Sequence, residues 1–116
     1  IENQNVDKIG HPRGRIIHQR EPSDMDFHAV LEAAAKTGTA LEINAHPSRL
    51  DLNDVNARAA KEMGVQMSIN SDAHDAGQLL NMKYGINVAR RAWLEKKDLI
   101  NAMDLKDLIQ FLKKKH

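Results

Sequence analysis

The chain has 116 residues, of which 41% are apolar and 28% are charged, a balance typical of one folded globular domain and not of a disordered segment. Seventeen basic residues against sixteen acidic ones give a formal charge of +1, so the overall charge indicates neither nucleic acid nor membrane as a partner. Cysteine is absent, which excludes disulfides and thiolate metal sites, and no apolar run approaches about 18 residues, so we expect a cytoplasmic protein.

The first half of the chain is predicted to start with a strand and a helix. Residues 6–9 are predicted to be the end of a strand, and the glycines and proline that follow interrupt regular structure. A helix is predicted after Pro22, with Ser23 and Asp26 as a capping box and Gly38 as its left-handed stop. Its apolar stripe consists of Phe27, Val30, Leu31 and Ala34.

Two strands with the same pattern flank the second predicted helix. Residues 38–44 and 64–70 share a leading glycine, an apolar alternation and a terminal Ile-Asn, 26 positions apart. A helix at 53–63 between them, of about ten residues, predicts a right-handed βαβ crossover and parallel neighbouring strands. Its predicted apolar face consists of Leu52, Val55, Ala59 and Met63. The sequence therefore predicts an α/β fold with about three parallel strands.

The rest of the chain is predicted to be helical. One turn is expected at 75–80, a helix at 85–92 and another at 96–102. The predicted core contacts of the second of these are Ile86, Val88, Ala89 and Trp93. Asp104 and Asp107 start a last helix, whose lysines at 113–115 are predicted to be a solvated helix end. The apolar face of this last helix consists of Leu105, Leu108, Ile109 and Leu112.

Each predicted strand ends in a loop that carries a histidine. His11 follows the first strand, His46 the second, and Asp72 with His74 the third. Because the carboxyl ends of parallel strands lie at one edge of a sheet, we expect these loops to gather where α/β proteins place their chemistry. Imidazole and carboxylate ligands without thiolate suit Zn²⁺, Mn²⁺ or Fe²⁺ in a hydrolytic site, so His11, Asp72 and His74 are predicted metal ligands. A lone histidine would more often be an ordinary polar side chain.

Arginines accompany two of these loops. Arg13 and Arg15 come directly after His11, and Arg49 comes shortly after His46. A guanidinium fork matches phosphate oxygens, so these residues suggest a phosphoester substrate. Ordinary solvated arginines explain the same pattern about equally well.

Three segments resemble the carboxyl-terminal half of a PHP domain (polymerase and histidinol phosphatase), in the form attached to bacterial and archaeal family X DNA polymerases. The segments are Gly-His-Pro-Arg-Gly-Arg at 10–15, Leu-Glu-Ile-Asn-Ala-x-Pro-x-Arg-Leu-Asp-Leu at 41–52 and Asn-Ser-Asp-Ala-His at 70–74. The segment 82–94 and the closing helix resemble the same subgroup. Residues 1–116 are thus expected to be the carboxyl-terminal portion of a PHP phosphoesterase domain in a larger chain.

This resemblance implies a distorted, TIM-like (β/α)₇ barrel with a trinuclear centre of Mn²⁺ or Zn²⁺ at the carboxyl ends of its strands. It implies that His11, Asp72 and His74 are catalytic metal ligands that serve different ions of the cluster. The implied chemistry is phosphoester hydrolysis, in family X polymerases a manganese-dependent 3′→5′ exonuclease and end-processing activity on DNA in repair. Our candidates for substrate contact are Arg13, Arg15, Asn44 and Arg49.

The chain departs from the family pattern in two places. No His-x-His occurs, nor the further acidic residues and histidines of the amino-terminal half. We therefore expect this chain alone to be nearly inactive, and to pair with the missing half of the barrel or to self-associate through two open sheet edges. His46 stands where such polymerases usually carry asparagine; it is an extra metal neighbour or, as we favour, a neutral exchange in a polar loop.

Two other functions remain compatible with the sequence. One is a stand-alone PHP phosphatase of the histidinol-phosphatase type that acts on a small phosphate ester. The other is a structural PHP module that has lost its metals, which would bind no metal ion stoichiometrically. Substrate preference and metal content of the full-length protein separate these alternatives from a nuclease.

Overall fold

A three-stranded parallel sheet is the framework of the fold in the computed structural model, which describes residues 1–113. Strands β1 (Lys8–Ile9), β2 (Ala40–Asn44) and β3 (Met67–Asn70) lie side by side in this order, and both neighbouring pairs are parallel. Helix α1 (Phe27–Thr37) connects β1 to β2, and helix α2 (Asp54–Glu62) connects β2 to β3. The predicted α/β fold with three parallel strands is confirmed.

The repeat in the sequence corresponds to the register of the sheet. Ile43 pairs with Ile69, and the residues on either side pair in the same register, so partners on β2 and β3 are 26 positions apart. Gly38 and Gly64, which precede the two strands, have φ angles of 72° and 75°. Glycine adopts this left-handed conformation without the steric penalty of a Cβ atom, so the predicted helix stop at Gly38 is confirmed.

Helix α1 begins later than the predicted capping box implies. Its N-cap is Asp26, whose carboxylate accepts the backbone N–H of Ala29 at 3.2 Å. Ser23 is instead tied to the preceding loop, because its N–H donates to the carbonyl oxygen of Arg13 at 2.6 Å. The prediction of a Ser23–Asp26 capping box is therefore wrong.

The buried faces of helices α2 and α3 (Met82–Arg91) also differ from the prediction. In α2 the buried residues are Ala57 and Ala60, while Val55 is 71% exposed. Helix α3 starts three residues before the predicted position, and its buried residues are Gly85, Val88 and Ala89. Ile86 in this helix and Trp93 after it, which were predicted to face the core, are exposed.

The segments after β3 are helical, as predicted, but their bounds differ from the prediction. A 3₁₀ helix at Ala76–Asn81 runs directly into α3, and two short 3₁₀ turns at Lys96–Asp98 and Ile100–Ala102 replace the helix predicted at 96–102. None of the helices among residues 1–113 is both long and apolar enough to cross a bilayer.

Helix α4 (Leu105–Lys113) contacts the rest of the fold through a different residue than predicted. The N–H of Asp107 donates to the carboxylate of Asp104 at 2.9 Å, in agreement with the predicted start. Its buried side chain is Phe111, whereas three of the four stripe residues are exposed: Leu105, Ile109 and Leu112. Residues 114–116, which include two lysines of the predicted solvated helix end, lie outside the described residues.

The two faces of the sheet have opposite character. One face contributes apolar side chains to the hydrophobic core: Leu41, Ile43, Met67 and Ile69. The alternating positions on the other face are polar: Glu42, Asn44, Ser68 and Asn70. Glu42, Asn44 and Ser68 are nevertheless buried, so the polar face of the sheet is covered for most of its length.

The outer edge of β3 is covered by the segment that follows α3. The N–H of Ile69 donates to Oδ1 of Asn101 at 2.8 Å, and Nδ2 of Asn101 donates to the carbonyl oxygen of Ile69 at 2.9 Å. Leu99 forms a parallel bridge with Met67. An open edge was predicted here, and this prediction is wrong, because a side-chain amide takes the place of a neighbouring strand. Self-association stays a prediction.

An ion pair lies near the amino-terminal end of β3, away from the loops that carry the histidines. Nζ of Lys61 lies 2.8 Å from Oδ2 of Asp98, and the N–H of Glu95 donates to the same oxygen at 2.8 Å. Partial burial works to raise the pKa of Asp98, but the hydrogen bonds from Lys61 and Glu95 outweigh it and lower the pKa below its ordinary value. Asp98 thus stabilises the fold at neutral pH, and this contribution is lost as the pH falls through the lowered pKa.

Replacing Asp98 by asparagine should therefore weaken the fold in a pH-dependent way. At about pH 7 we expect the free energy of unfolding to fall by about 1 kcal/mol, since an amide accepts these hydrogen bonds less strongly than a carboxylate. The difference from the wild type should shrink between about pH 4 and pH 2, where the wild-type carboxyl group becomes protonated as well. Urea denaturation of both proteins across this pH range measures the difference in their free energy of unfolding. A difference that does not vary with pH would contradict the ion-pair explanation.

Candidate active site at the carboxyl edge of the sheet

The three predicted metal ligands lie just beyond the carboxyl ends of strands. His11 comes two residues after the end of β1, Asp72 comes two residues after the end of β3, and His74 follows in the same loop. The strands are parallel, so these loops leave the sheet at the same edge. All three residues are exposed.

The backbone at this edge adopts unusual conformations in all three loops. The φ angles of His11, Leu50 and Asp72 are 24°, 45° and 53°, and these residues follow β1, β2 and β3 respectively. Positive φ angles are unfavourable for residues other than glycine, and they concentrate at functional sites where the surrounding contacts enforce them. The strained positions therefore support a functional role for this edge.

The donors present do not complete a metal site by themselves. Within residues 1–113, no three histidine, cysteine, aspartate or glutamate side chains come together as a group that could hold a metal ion. Strand β2 lies between β1 and β3, so His11 is on one side of the edge, and Asp72 and His74 are on the other. The predicted ligands share an edge of the sheet, but they do not form one closed site.

The ring of His74 is nevertheless held in a form suitable for metal binding. Its Nδ1 lies 2.7 Å from the backbone carbonyl oxygen of Asp72. A carbonyl oxygen can only accept, so Nδ1 carries the hydrogen and the lone pair of the neutral ring is on Nε2. Histidine ligands usually donate their second ring N–H to such an acceptor, which fixes the ring and its tautomer.

Glu42 is a buried carboxylate beneath this edge that the sequence analysis did not single out. Its Oε1 accepts the backbone N–H of His11 at 3.0 Å and Nδ2 of Asn44 at 3.1 Å, and its Oε2 accepts Nδ2 of Asn70 at 2.7 Å. Nζ of Lys8 lies 3.9 Å from Oε2. Glu42 therefore connects the ends of all three strands. The available signal was a charged residue inside the apolar alternation of β2.

Asp51 is a second buried carboxylate that the sequence analysis missed. It is 1% exposed, and its Oδ2 accepts the backbone N–H groups of Arg13 at 2.9 Å and Gly14 at 2.8 Å. Burial raises the pKa of Asp51 above its ordinary value, although these two N–H groups and the nearby charge of Arg15 oppose the rise. Asp51 joins the loop after β2 to the loop that carries His11.

Three of the predicted substrate-contact residues lie in the loops after β1 and β2, Asn44 is the last residue of β2, and all four form hydrogen bonds within the fold. Arg15 donates Nε to the carbonyl oxygen of Arg49 and Nη2 to that of Leu50, both at 2.6 Å. Arg13 donates Nη2 to the carbonyl oxygen of Ser23 at 3.2 Å. Asn44 is buried and bound to Glu42, so for all four residues substrate contact stays a prediction.

His46 takes part in hydrogen bonds within its own loop. Its ring atom Nδ1 accepts the backbone N–H of Ser48 at 3.2 Å and lies 2.7 Å from the Ser48 hydroxyl oxygen. The backbone N–H of His46 donates to Oδ1 of Asn44 at 3.0 Å. Because a backbone N–H can only donate, the Nδ1 lone pair is directed at Ser48. This arrangement favours the interpretation of His46 as a polar loop residue over that of a metal neighbour.

Comparison with known proteins finds a polymerase with a close match along the chain. The chain is 46% identical over 114 residues to the DNA polymerase/3′-5′ exonuclease PolX of Bacillus subtilis (strain 168), an alignment that covers 98% of the chain and 20% of that relative. The chain is similar to this polymerase along nearly its whole length. This confirms the resemblance found in the motifs, and it places the family X relationship along nearly the whole chain. No family model matches the chain.

Probable phosphatases match the same residues. The chain is 32% identical over 121 residues to a probable phosphatase of Thermoanaerobacter sp. (strain X514), covering 99% of the chain and 46% of the relative. It is 38% identical over 80 residues to one of Caldanaerobacter subterraneus, covering 64% of the chain and 29% of the relative. The chain therefore spans less than half the length of each of these proteins.

Proposed function

We propose that this chain is part of a phosphoesterase domain of a family X DNA polymerase, which hydrolyses DNA phosphodiesters at 3′ ends in DNA repair. The observation that carries the proposal is the 46% identity, over 98% of the chain, to a polymerase named as a 3′-5′ exonuclease. The common edge of His11, Asp72 and His74 and its strained backbone add physical support.

The sheet is, in this proposal, a segment of a larger TIM-like (β/α)₇ barrel, and residues 1–116 are the carboxyl-terminal portion of a PHP domain. The support is the polar face of the sheet, which carries Glu42, Asn44 and Ser68. A parallel sheet covered by helices on both faces has apolar residues on both, whereas the interior of a barrel accommodates a polar layer around a site.

Hydrolysis is proposed to depend on divalent ions, Mn²⁺ or Zn²⁺, with His11, Asp72 and His74 serving different ions of a cluster that other donors complete. Such ions supply a nucleophilic hydroxide and neutralise phosphate charge when they are bound. The tautomer of His74 supports its role as a ligand. Nε of Arg13 is buried without a hydrogen-bond partner among the described residues, and a phosphate oxygen would satisfy it.

The test uses the full-length protein that contains this chain and measures 3′→5′ hydrolysis of single-stranded DNA in the presence of Mn²⁺. We expect Asp72→Asn and His74→Ala each to lower kcat about 100-fold or more while the protein stays folded, because both residues are exposed and contribute little to packing.

Asp75→Asn is the matched control for these variants. Asp75 is an exposed neighbour whose carboxylate caps the N–H of Gln78 at 3.0 Å, a bond that asparagine can also make. We expect Asp75→Asn to keep kcat within about twofold of the wild type. Full activity of Asp72→Asn, or an equal loss in Asp75→Asn, would overturn the assignment of the site.

Removing the metal should abolish the activity. Treatment of the full-length protein with a chelator is expected to lower the rate by at least about 100-fold, and added Mn²⁺ should restore it. Elemental analysis should find the metal bound stoichiometrically. Undiminished hydrolysis in the chelator would contradict metal dependence, and a full-length protein without bound metal would favour the structural module.

The match to probable phosphatases favours a second candidate, hydrolysis of a small phosphate monoester at the same site. Rates on a DNA 3′ end and on histidinol phosphate, measured with one preparation, separate the two. A preference for the small ester would replace the nuclease assignment by a phosphatase.

A further inference from the structure

The loop after β1 is held to the loop after β2 by a buried carboxylate. The loop at 10–15 carries His11, and two of its backbone N–H groups, those of Arg13 and Gly14, donate to Asp51. Asp51 is itself fixed to the end of β2, because its carbonyl oxygen accepts the N–H of Asn44 at 2.6 Å. Asp51 is only 1% exposed, so neither a substrate nor solvent reaches its carboxylate.

A side chain of the first loop also binds the backbone of the second loop. The guanidinium of Arg15, in the first loop, donates to the carbonyl oxygens of Arg49 and Leu50, in the second, at 2.6 Å each. The N–H of Ile17 donates to the carbonyl oxygen of Ser48, also at 2.6 Å. The side chains of Asp51 and Arg15 thus each bind the backbone of the other residue's loop, so the hydrogen bonds are reciprocal.

We propose that Asp51 and Arg15 are positioning residues of the phosphoesterase site, which clamp the loop at 10–15 so that His11 keeps its orientation. This inference rests on the proposed function. It assigns Arg15 a role other than the predicted substrate contact, because two donors of its guanidinium are occupied by backbone carbonyl oxygens. Neither residue acts on the substrate directly.

The strained backbone of His11 explains why a clamp is needed. Its φ angle of 24° is unfavourable for a residue with a side chain, and such a conformation persists only when the surrounding structure enforces it. One enforcing contact is the bond from the N–H of His11 to Glu42 at 3.0 Å. The bonds to Asp51 begin two residues later and hold the other end of the turn.

Asp51→Asn changes this clamp with little change in shape. Both carboxylate oxygens lie near the N–H of Arg13, at 2.9 and 3.2 Å, and one of them also accepts Gly14. If the amide oxygen of asparagine takes the Oδ2 position, it still accepts the N–H groups of Arg13 and Gly14, but the negative charge is lost and the NH₂ group replaces Oδ1, so that a donor faces the N–H of Arg13. Arg15→Lys keeps the positive charge and loses the fork that reaches two carbonyl oxygens.

The experiment compares Asp51→Asn, Arg15→Lys and the double variant with the wild type in the full-length protein. The readouts are kcat and KM for hydrolysis of single-stranded DNA, together with hydrogen–deuterium exchange at the amides of residues 13–17. We expect each single variant to lower kcat about tenfold or more, with KM changed less than about twofold, and to speed exchange in this segment. The double variant should be no worse than about twofold below the poorer single variant, because both changes open the same clamp.

Asp98→Asn is the control for a general loss of stability. It removes a carboxylate that also accepts a backbone N–H, but it lies near the amino-terminal end of β3. We expect its kcat and its exchange at residues 13–17 to match the wild type. A drop in kcat equal to that of Asp51→Asn would overturn the inference, because stability alone would then explain both.

Other results are equally decisive. An increase in KM at constant kcat in Arg15→Lys would show a substrate contact and overturn the clamp, as would fully multiplicative losses in the double variant. Should Asp51→Asn fail to fold, the kcat–KM split and the exchange of Arg15→Lys decide the question. A wild type that hydrolyses no phosphoester refutes the proposed function, whereas an active wild type with unaffected variants refutes the inference alone.

Discussion

Replacement of Glu42 by alanine is expected to lower the free energy of unfolding by about 4 kcal/mol, because three donors lose their buried acceptor at once. These donors are the N–H of His11 and the side-chain amides of Asn44 and Asn70. Leaving one buried donor unsatisfied costs about 1–3 kcal/mol. The sum is smaller than three full losses, because the N–H of His11 and the amide of Asn70 are only partly buried, Asn70 also donates to Ser68 at 3.1 Å, and water enters the space left by the side chain. Urea denaturation of the protein followed by circular dichroism measures the change.

Two further variants make this prediction specific. Glu42→Gln keeps the shape and one acceptor oxygen, so we expect a loss of about 1–2 kcal/mol. Glu62→Ala removes a carboxylate from an exposed pair with Arg58 on α2, and it should change stability by less than about 0.5 kcal/mol. If Glu42→Ala cost no more than Glu62→Ala, the buried network would contribute nothing to the fold.

Replacement of Gly85 by valine is expected to destabilise the fold by about 3 kcal/mol or more, because helix α3 lies too close to the sheet for a side chain. A Cβ atom at this position would lie 2.5 Å from Cγ2 of Ile69 and 2.8 Å from Cβ of Ala45. These atoms belong to the sheet and to the residue just after β2, so α3 itself would have to move outwards. Thermal and urea denaturation measure the loss.

Gly85→Ala and Gly77→Ala separate overpacking from helix propensity. Alanine in a helix interior is favoured over glycine by about 1 kcal/mol, so a stabilised Gly85→Ala variant would contradict the close approach of α3. At Gly77 the nearest atom to an added Cβ is Oδ1 of Asp75 at 3.3 Å, the end of an exposed side chain that can shift. We expect Gly77→Ala to stay within about 0.5 kcal/mol of the wild type.

Local patterns predicted the helices less well than the strands. The inner faces of α2 and α3 are built from small residues, Ala57 and Ala60 in one and Gly85 in the other. Small residues have a weak hydrophobic signal, so the larger Val55 and Ile86 defined the predicted faces although both are exposed. Which face of a helix packs inwards depended here on how closely the helix can approach the sheet.

The parallel three-stranded sheet and the common edge for His11, Asp72 and His74 were predictable from the sequence. These features follow from local alternation, from glycines that end helices, and from the single handedness of βαβ crossovers. That Glu42 and Asp51 hold the loops of this edge, and that Arg15 binds backbone carbonyl oxygens, became visible only in the folded structure. Apart from Asn44, which is two residues from Glu42, the partners of these side chains are 28 to 38 residues away along the chain, so their contacts arise only after the strands are side by side.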